Sequence, residues 1–237
     1  MNKDLESLLF DYNKRQEMKN HPIFIQIREI WEKEEFSSPQ KMGNLNYLIK
    51  QLHENKSINN KEVIVQQKDW INFYFNSGKK RKTEAEVYQS NVYYGRTIVE
   101  LYDIAMELQK VAIEKGFKIN EQAAFNIVYI KIIDDTFSDY MRCYRVIFRM
   151  KERYPEISCE MAKPLESNEY GVDIIIKLQN KLIGAIKVFP RGAIKKKEEI
   201  EKNFTQKHYI FKSIYEIDTY FVYSSTSGYI AGDLPKL

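Results

Sequence analysis

This chain has little of what thiol or histidine chemistry needs. Its 237 residues include two cysteines, Cys143 and Cys159, and three histidines, His21, His53 and His208. Two cysteines so far apart make no zinc framework, and both read as small buried hydrophobes in a reducing compartment. The histidines show no close metal-ligand spacing, and His208 reads as a residue that touches DNA or a functional site or, more simply, as an ordinary partly exposed helix residue. No GxxxxGK[ST] loop and no GxGxxG fingerprint is present, which removes the simplest support for an NTPase or a dinucleotide enzyme. No apolar run is long enough to span a bilayer. The opening MNKDLESLLFDYNKRQ lacks the basic segment and apolar block of a secretory signal. The expectation is a cytoplasmic protein with no membrane partner, and neither an internal repeat nor a low-complexity tract appears.

What is present suffices for a core. The hydrophobic fraction is 43%, and the length suits one large domain or two small ones. A net charge of +4 is too modest to prove nucleic-acid binding, so the distribution of charge must carry that question. The N-terminal half reads as mainly helical. HPIFIQIREIWEKEEF (21–36) places Ile23, Ile27, Ile30 and Trp31 on one face, and QKMGNLNYLIKQLHENK (40–56) contains a second short helix. A third helical stretch holds Trp70, Phe73 and Tyr74, which suit core packing better than base stacking. Over 92–115, Ile98, Leu101, Ala105, Leu108 and Ala112 follow a three-four spacing that Gly116 ends.

The informative pair is Asp173 and Lys187. GVDIIIK (171–177) and KLIGAIKVFP (181–190) read as strands of a hairpin, each with one polar residue among aliphatics. Alternation puts Val172, Ile174 and Ile176 on one face and Asp173, Ile175 and Lys177 on the other. In the second strand Ile183, Ala185, Lys187 and Phe189 share a face, opposite Leu182, Ile186 and Val188. Lys187 then lies beside Asp173 if the register allows. A charge in an aliphatic sheet needs a partner; a structural ion pair is one explanation, a metal-binding carboxylate with a lysine beside a phosphate the other.

The surrounding elements bear on that choice. Residues 120–153 carry a long helical pattern with Asn120 as N-cap and Pro155 beyond its end. ISCEMA (157–162) reads as a strand, the two strands above follow, then a helical segment over 195–216 with Ile200, Phe204, Ile210, Phe211 and Ile214, then the strand TYFVY (219–223). The residues from 224 onward read as a loop or tail.

Over about residues 120–230, roughly half the chain, this order resembles the PD-(D/E)xK nuclease superfamily, most like a type II restriction endonuclease with a variant motif. In that superfamily an acid lies on the second core strand and an acid-x-lysine motif on the third, matching Asp173 and Ala185-Ile186-Lys187. The resemblance implies an α/β fold with a helix-strand-strand-strand-helix-strand, restriction-endonuclease-like core around a mixed central sheet, over residues 119–237. Residues 1–118 would be a mainly helical region for DNA recognition or dimerisation. Ala185 stands where the pattern has Asp or Glu, so another carboxylate must serve. Asp139, in DDTFSDYM (134–141), is the first candidate, sharing a helix face with Asp135, ahead of Glu160, Glu166 and Glu169.

The implied chemistry is Mg²⁺-dependent hydrolysis of phosphodiester bonds in double-stranded DNA. Asp173, Asp139 and the Ile186 backbone carbonyl would hold the metal, and Lys187 would orient the attacking water. Two basic clusters suit phosphate contacts. One is Lys79, Lys80, Arg81 and Lys82, read as an exposed loop after Gly78. The other is Arg191 with Lys195, Lys196 and Lys197, directly beyond the catalytic strand. A homodimer fits cleavage of two strands. A repair or junction-cleaving nuclease, a catalytically silent DNA-binding module and a helical adaptor remain as alternatives.

Overall fold

The computed structural model describes residues 12–19, 21–33, 36–56, 64–83, 91–231 and 234–236. They belong to an α/β protein whose chain divides into two compact units, Met1–Phe137 and Ser138–Leu237. The division falls later than the 118/119 border expected from sequence. The turn at 115–120 joins two helices that pack on each other inside the first unit. Among the described residues no helix is long and apolar enough to cross a membrane.

The first unit is helical: α1 (Tyr12–Lys19), α2 (Pro22–Lys33), α3 (Pro39–Met42), α4 (Leu45–Lys56), α5 (Gln67–Thr83), α6 (Ile98–Glu114) and α7 (Glu121–Tyr129). The three-four spacing of α6 buries Leu101, Ala105, Leu108 and Ala112 completely. Its start is fixed by a capping box, in which the Thr97 hydroxyl accepts from the Glu100 N–H and the Glu100 carboxylate accepts from the Thr97 N–H. Trp70 and Tyr74 are wholly buried, and the Tyr74 hydroxyl donates to the Met42 carbonyl at 2.9 Å. These are core aromatics, as the sequence suggested.

Two expectations fail in this unit. The run at 79–82 is no loop but the last part of α5, where Gly78 lies against the Arg96 backbone so closely that a Cβ would sit 2.4 Å from its carbonyl carbon. Arg81 is ion-paired with Glu100, Lys79 and Lys80 are exposed, and the side chain of Lys82 lies outside the described residues. The helical pattern from Asn120 is also interrupted. Ile130–Asp135 forms a π-helical turn before α8 (Thr136–Arg153). Asp134, in that turn, is buried and accepts from Arg15 Nε at 3.0 Å and Gln67 Nε2 at 2.8 Å.

The second unit is a five-stranded mixed sheet with helices: β1 (Ile157–Met161), α9 (Pro164–Tyr170), β2 (Ile174–Leu178), β3 (Lys181–Pro190), α10 (Lys197–Tyr215), β4 (Thr219–Ser224) and β5 (Ile230–Ala231). The strands lie in the order β1-β2-β3-β4-β5, antiparallel except for the parallel pair β3 and β4. Gln179 and Asn180, with φ of 50° and 65°, form the two-residue turn between β2 and β3. The sequence did not signal α9, and the expected tail contributes β5.

The sheet packs apolar residues on both faces. Ile174, Ile176, Ile186 and Val188 join Val146, Ile147 and Met150 of α8 in one cluster, while Val172, Ile175 and Ala185 join Phe211 of α10 in the other. Strict alternation is broken twice. The register shifts between Ile176 and Lys177, which pair with Gly184 and Leu182, leaving Ile183 as a bulge. One extra residue flips the side chains beyond it. Ile183 thus packs with the Ile186 cluster and Leu182 with the Ala185 cluster, opposite to the simple reading. At the other end, the chain bends at Asp173, and Val172 joins the cluster of Ile175. In α10 only Phe211 of the expected apolar face is buried; Ile210 and Ile214 are exposed.

Candidate active site around Asp173 and Lys187

Asp173 sits just before β2, yet its backbone already belongs to the sheet. Its N–H donates to the Ile186 carbonyl at 2.8 Å, and its own carbonyl accepts from the Ala162 N–H at 2.8 Å. The pairing of Ile174 with Ile186 brings Asp173 opposite Lys187. Lys187 Nζ donates to Asp173 Oδ1 at 2.9 Å, and the Val188 N–H donates to Oδ2 at 2.8 Å. Both side chains are mostly buried, at 18% exposure for Lys187 and 16% for Asp173. The expected juxtaposition is therefore present, and each carboxylate oxygen accepts one hydrogen bond.

Aromatic rings surround the lysine. Its ammonium lies 5.3 Å from the Phe204 ring centroid and 5.8 Å from that of Phe189, within range of a cation–π attraction. Parallel pairing of Lys187 with Phe221 and of Phe189 with Tyr223 extends this surface. Phe189 stacks on Tyr223 at 5.5 Å, and His208 lies 4.8 Å from Phe221. Gly171 lets α10 come close: at φ +65° it ends α9, and a Cβ there would sit 2.8 Å from Phe204. His208 Nε2 lies 3.5 Å from the Gly171 carbonyl oxygen. Burial lowers the pKa of His208, with the nearby Lys187 charge acting the same way against the opposing pull of Gly171 and Asp173.

Helix α8 contributes from another direction. Burial pushes the Cys143 thiol well up, and the charges of Asp173 and Asp139 act in the same sense while Lys187 and Arg142 oppose them. Asp139 itself is exposed and ion-paired with Arg142. Asp135, read as its face-mate, belongs to the first unit and pairs with Lys19 and Lys131 there. The remaining acids are engaged or peripheral: Glu160 pairs with Lys177, Glu166 accepts from the Lys163 N–H at 2.6 Å at the start of α9, and Glu169 is exposed. Ala185 is wholly buried among Val172, Ile175 and Phe211. Among the described residues no group of three or more His, Cys, Asp or Glu side chains could hold a metal.

The cationic segment beyond β3 is a 3₁₀ turn, Arg191–Lys196, leading into α10. Arg191, Lys195, Lys196 and Lys197 are all exposed. Lys197 is 3.9 Å from Glu201, too loose to hold it, and Arg191 lies over the Tyr229 ring at 4.0 Å. The sequence reading missed the aromatic surroundings of Lys187 and the part of Tyr229. Their only signal was the density of Phe and Tyr at 189, 204, 221, 223 and 229. Comparison with protein-family profiles, with characterised proteins and with solved structures finds no match to this chain.

Proposed function

We propose that the second unit is a nuclease core of the PD-(D/E)xK type with a variant motif. The protein would then be a Mg²⁺-dependent endonuclease of double-stranded DNA, most like a sequence-specific type II restriction enzyme. One observation carries the reading: the 2.9 Å pairing of Lys187 with Asp173 on adjoining segments of a mixed sheet, with a cationic turn directly beyond it. The order helix, three antiparallel strands, helix and parallel strand supports it.

The donor set suits a hard cation at the lower limit of protein ligation. Mg²⁺ takes oxygen ligands and commonly keeps several waters, with one or two carboxylates and phosphate oxygens completing the shell. Asp173 and the Ile186 carbonyl are oxygen donors, and each of their oxygens keeps a lone pair beyond the hydrogen bond it accepts. Asp173 would be the main ligand, Ile186 the second, and Asp139 the further carboxylate once released from Arg142. When bound, the ion would lower the pKa of a coordinated water and offset charge on the phosphate. Lys187 would orient that water and donate to the developing oxyanion. Phe204 and Phe189 shield its ammonium from bulk water, which strengthens that donation. Arg191 and Lys195–Lys197 would hold the DNA backbone, and two copies would address the two strands of a palindromic site.

Incubation of varied plasmid and phage DNA with stoichiometric protein and Mg²⁺ or Mn²⁺ tests the reading. Asp173→Ala and Lys187→Ala should each lower cleavage by about a hundredfold or more with DNA binding largely retained. Normal turnover by either variant would dismantle the site. A second reading, a DNA-binding module without cleavage, is favoured by the burial of Ala185 in apolar surroundings. Salt-dependent binding by a wild-type protein that cuts nothing would establish it instead.

A further inference from the structure

We infer that Arg191 and Tyr229 form a pre-oriented contact to duplex DNA beside the Asp173–Lys187 pair, with Arg191 the contacting group and Tyr229 its positioning residue. The inference rests on the DNA reading above and adds a residue, and a manner of recognition, to it.

The placement follows from strand direction. Asp173 stands at the start of β2, Arg191 just past the end of β3, and Tyr229 in the turn that follows the end of β4. Because β2 is antiparallel to β3 and β4 is parallel to it, these three positions share one end of the sheet. Arg191 lies four residues beyond Lys187 in the chain, at that same end of the sheet.

The backbone that carries this exposed aromatic is tied by hydrogen bonds. Tyr229 is 55% exposed. Its N–H donates to Ser225 Oγ at 3.0 Å, and its carbonyl accepts from the Ser225 N–H at 2.9 Å. The Gly228 N–H donates to the Ser225 carbonyl at 3.1 Å, and the Ser225 and Ser227 hydroxyls are 2.8 Å apart. Gly228, at φ +92°, supplies the left-handed position that this turn requires. On the ring of this residue, whose backbone is held, lies the Arg191 guanidinium, 4.0 Å from the ring centroid, with no ion-pair partner among the described residues.

Stacking occupies the flat face of a guanidinium and leaves its N–H edge outward. That edge matches two acceptors in one plane, which duplex DNA offers in the oxygens of a phosphate and in O6 and N7 of guanine. The ring removes rotamer freedom that an exposed arginine would otherwise lose on binding. A lysine cannot take this part, since its ammonium is neither planar nor forked.

The test uses the full chain and a fluorescein-labelled duplex of randomised sequence, with anisotropy read across a salt series. Tyr229→Ala should weaken binding roughly two- to fivefold, the loss expected of an exposed cation–π contact, and Tyr229→Phe should restore it. Arg191→Ala should weaken binding about tenfold or more, and Arg191→Lys should recover little of that. A loss uniform across sequences, with a shallower salt slope, assigns the contact to phosphate. A changed sequence preference among selected duplexes assigns it to guanine. Wild-type affinity in Tyr229→Ala, or full rescue by Arg191→Lys, overturns the inference while leaving the nuclease reading intact. Absence of binding by the wild-type protein overturns both.

Discussion

Removing the Asp173 carboxylate should do two separable things to the second unit. The Val188 N–H loses its acceptor, and the Lys187 ammonium loses its counter-charge. An orphaned buried donor costs about 1–3 kcal/mol. Breaking a fully buried ion pair costs about 3–5 kcal/mol, and an exposed pair contributes about 0–1 kcal/mol. With 16–18% of each side chain exposed, the charge part falls between these limits, at about 1–3 kcal/mol. Asp173→Ala should therefore destabilise by about 2–6 kcal/mol. Asp173→Asn keeps an oxygen for Val188 and should lose only the charge part. Lys187→Met keeps the aliphatic contact with Phe204 and Phe189. The double variant Asp173→Asn with Lys187→Met should therefore be less damaged than the sum of the singles by about 1 kcal/mol or more. Urea unfolding followed by far-ultraviolet circular dichroism gives the cycle, and amide hydrogen exchange at Val188 reports its acceptor directly. Additivity within about 0.5 kcal/mol, or unchanged exchange at Val188 in Asp173→Ala, would refute the pairing on which the site depends.

Two further outcomes concern the wall made by α10. His208 has a folded-state pKa below its unfolded value, so its contribution to stability is fully present above about pH 6.5 and is lost as pH falls through the folded value; His208→Gln should flatten that acid limb in urea titrations, and an unaltered limb would remove the histidine from the account. Gly171→Ala puts a side chain at φ +65° and against Phe204, and should cost about 1–3 kcal/mol and shift the ring resonances of Phe204 and His208, whereas unchanged stability and spectra would mean that α10 is not held by this contact.

Much of the second unit is legible in the sequence because its strands are short, apolar and separated by strong turn signals. Gln179-Asn180 fixes a two-residue hairpin, and that hairpin sets Asp173 opposite Lys187 despite the bulge between them. The bulge itself is not legible. KLIGAIK reads as clean alternation, and only pairing with Ile176 and Lys177 reveals that Ile183 is the extra residue. The basic run at 79–82 looks like a loop because glycine and consecutive charges weaken a helix in isolation. Tertiary contact reverses that preference, since Gly78 is where the Arg96 backbone fits closely and Arg81 finds Glu100. Asp139 has the right position in the order of elements, but sequence cannot disclose that Arg142, three residues on, takes its carboxylate. The aromatic wall depends on which faces α10 and β4 present to β3, a matter of packing with no local sign.

The same Asp173–Lys187 geometry would serve stability and, on the proposed nuclease reading, chemistry by different parts of the two groups. The carboxylate offers about four lone-pair positions, of which Lys187 and the Val188 N–H use one each. Those two bonds fix the orientation of the carboxylate and use one lone pair on each of its oxygens. The lysine is likewise held, by Asp173 on one side and near two aromatic rings. A structural ion pair would work as well with its free lone pairs facing apolar side chains. Here the pair stands instead at the end of the sheet from which Arg191, Lys195 and Lys196 project exposed and without an ion-pair partner among the described residues. Concentrating exposed positive charge at the end of the sheet that holds a mostly buried carboxylate does nothing for folding that dispersed lysines would not do equally well. On the proposed nuclease reading, that charge would raise the local concentration of a polyanion beside the carboxylate and ammonium that are to act on it.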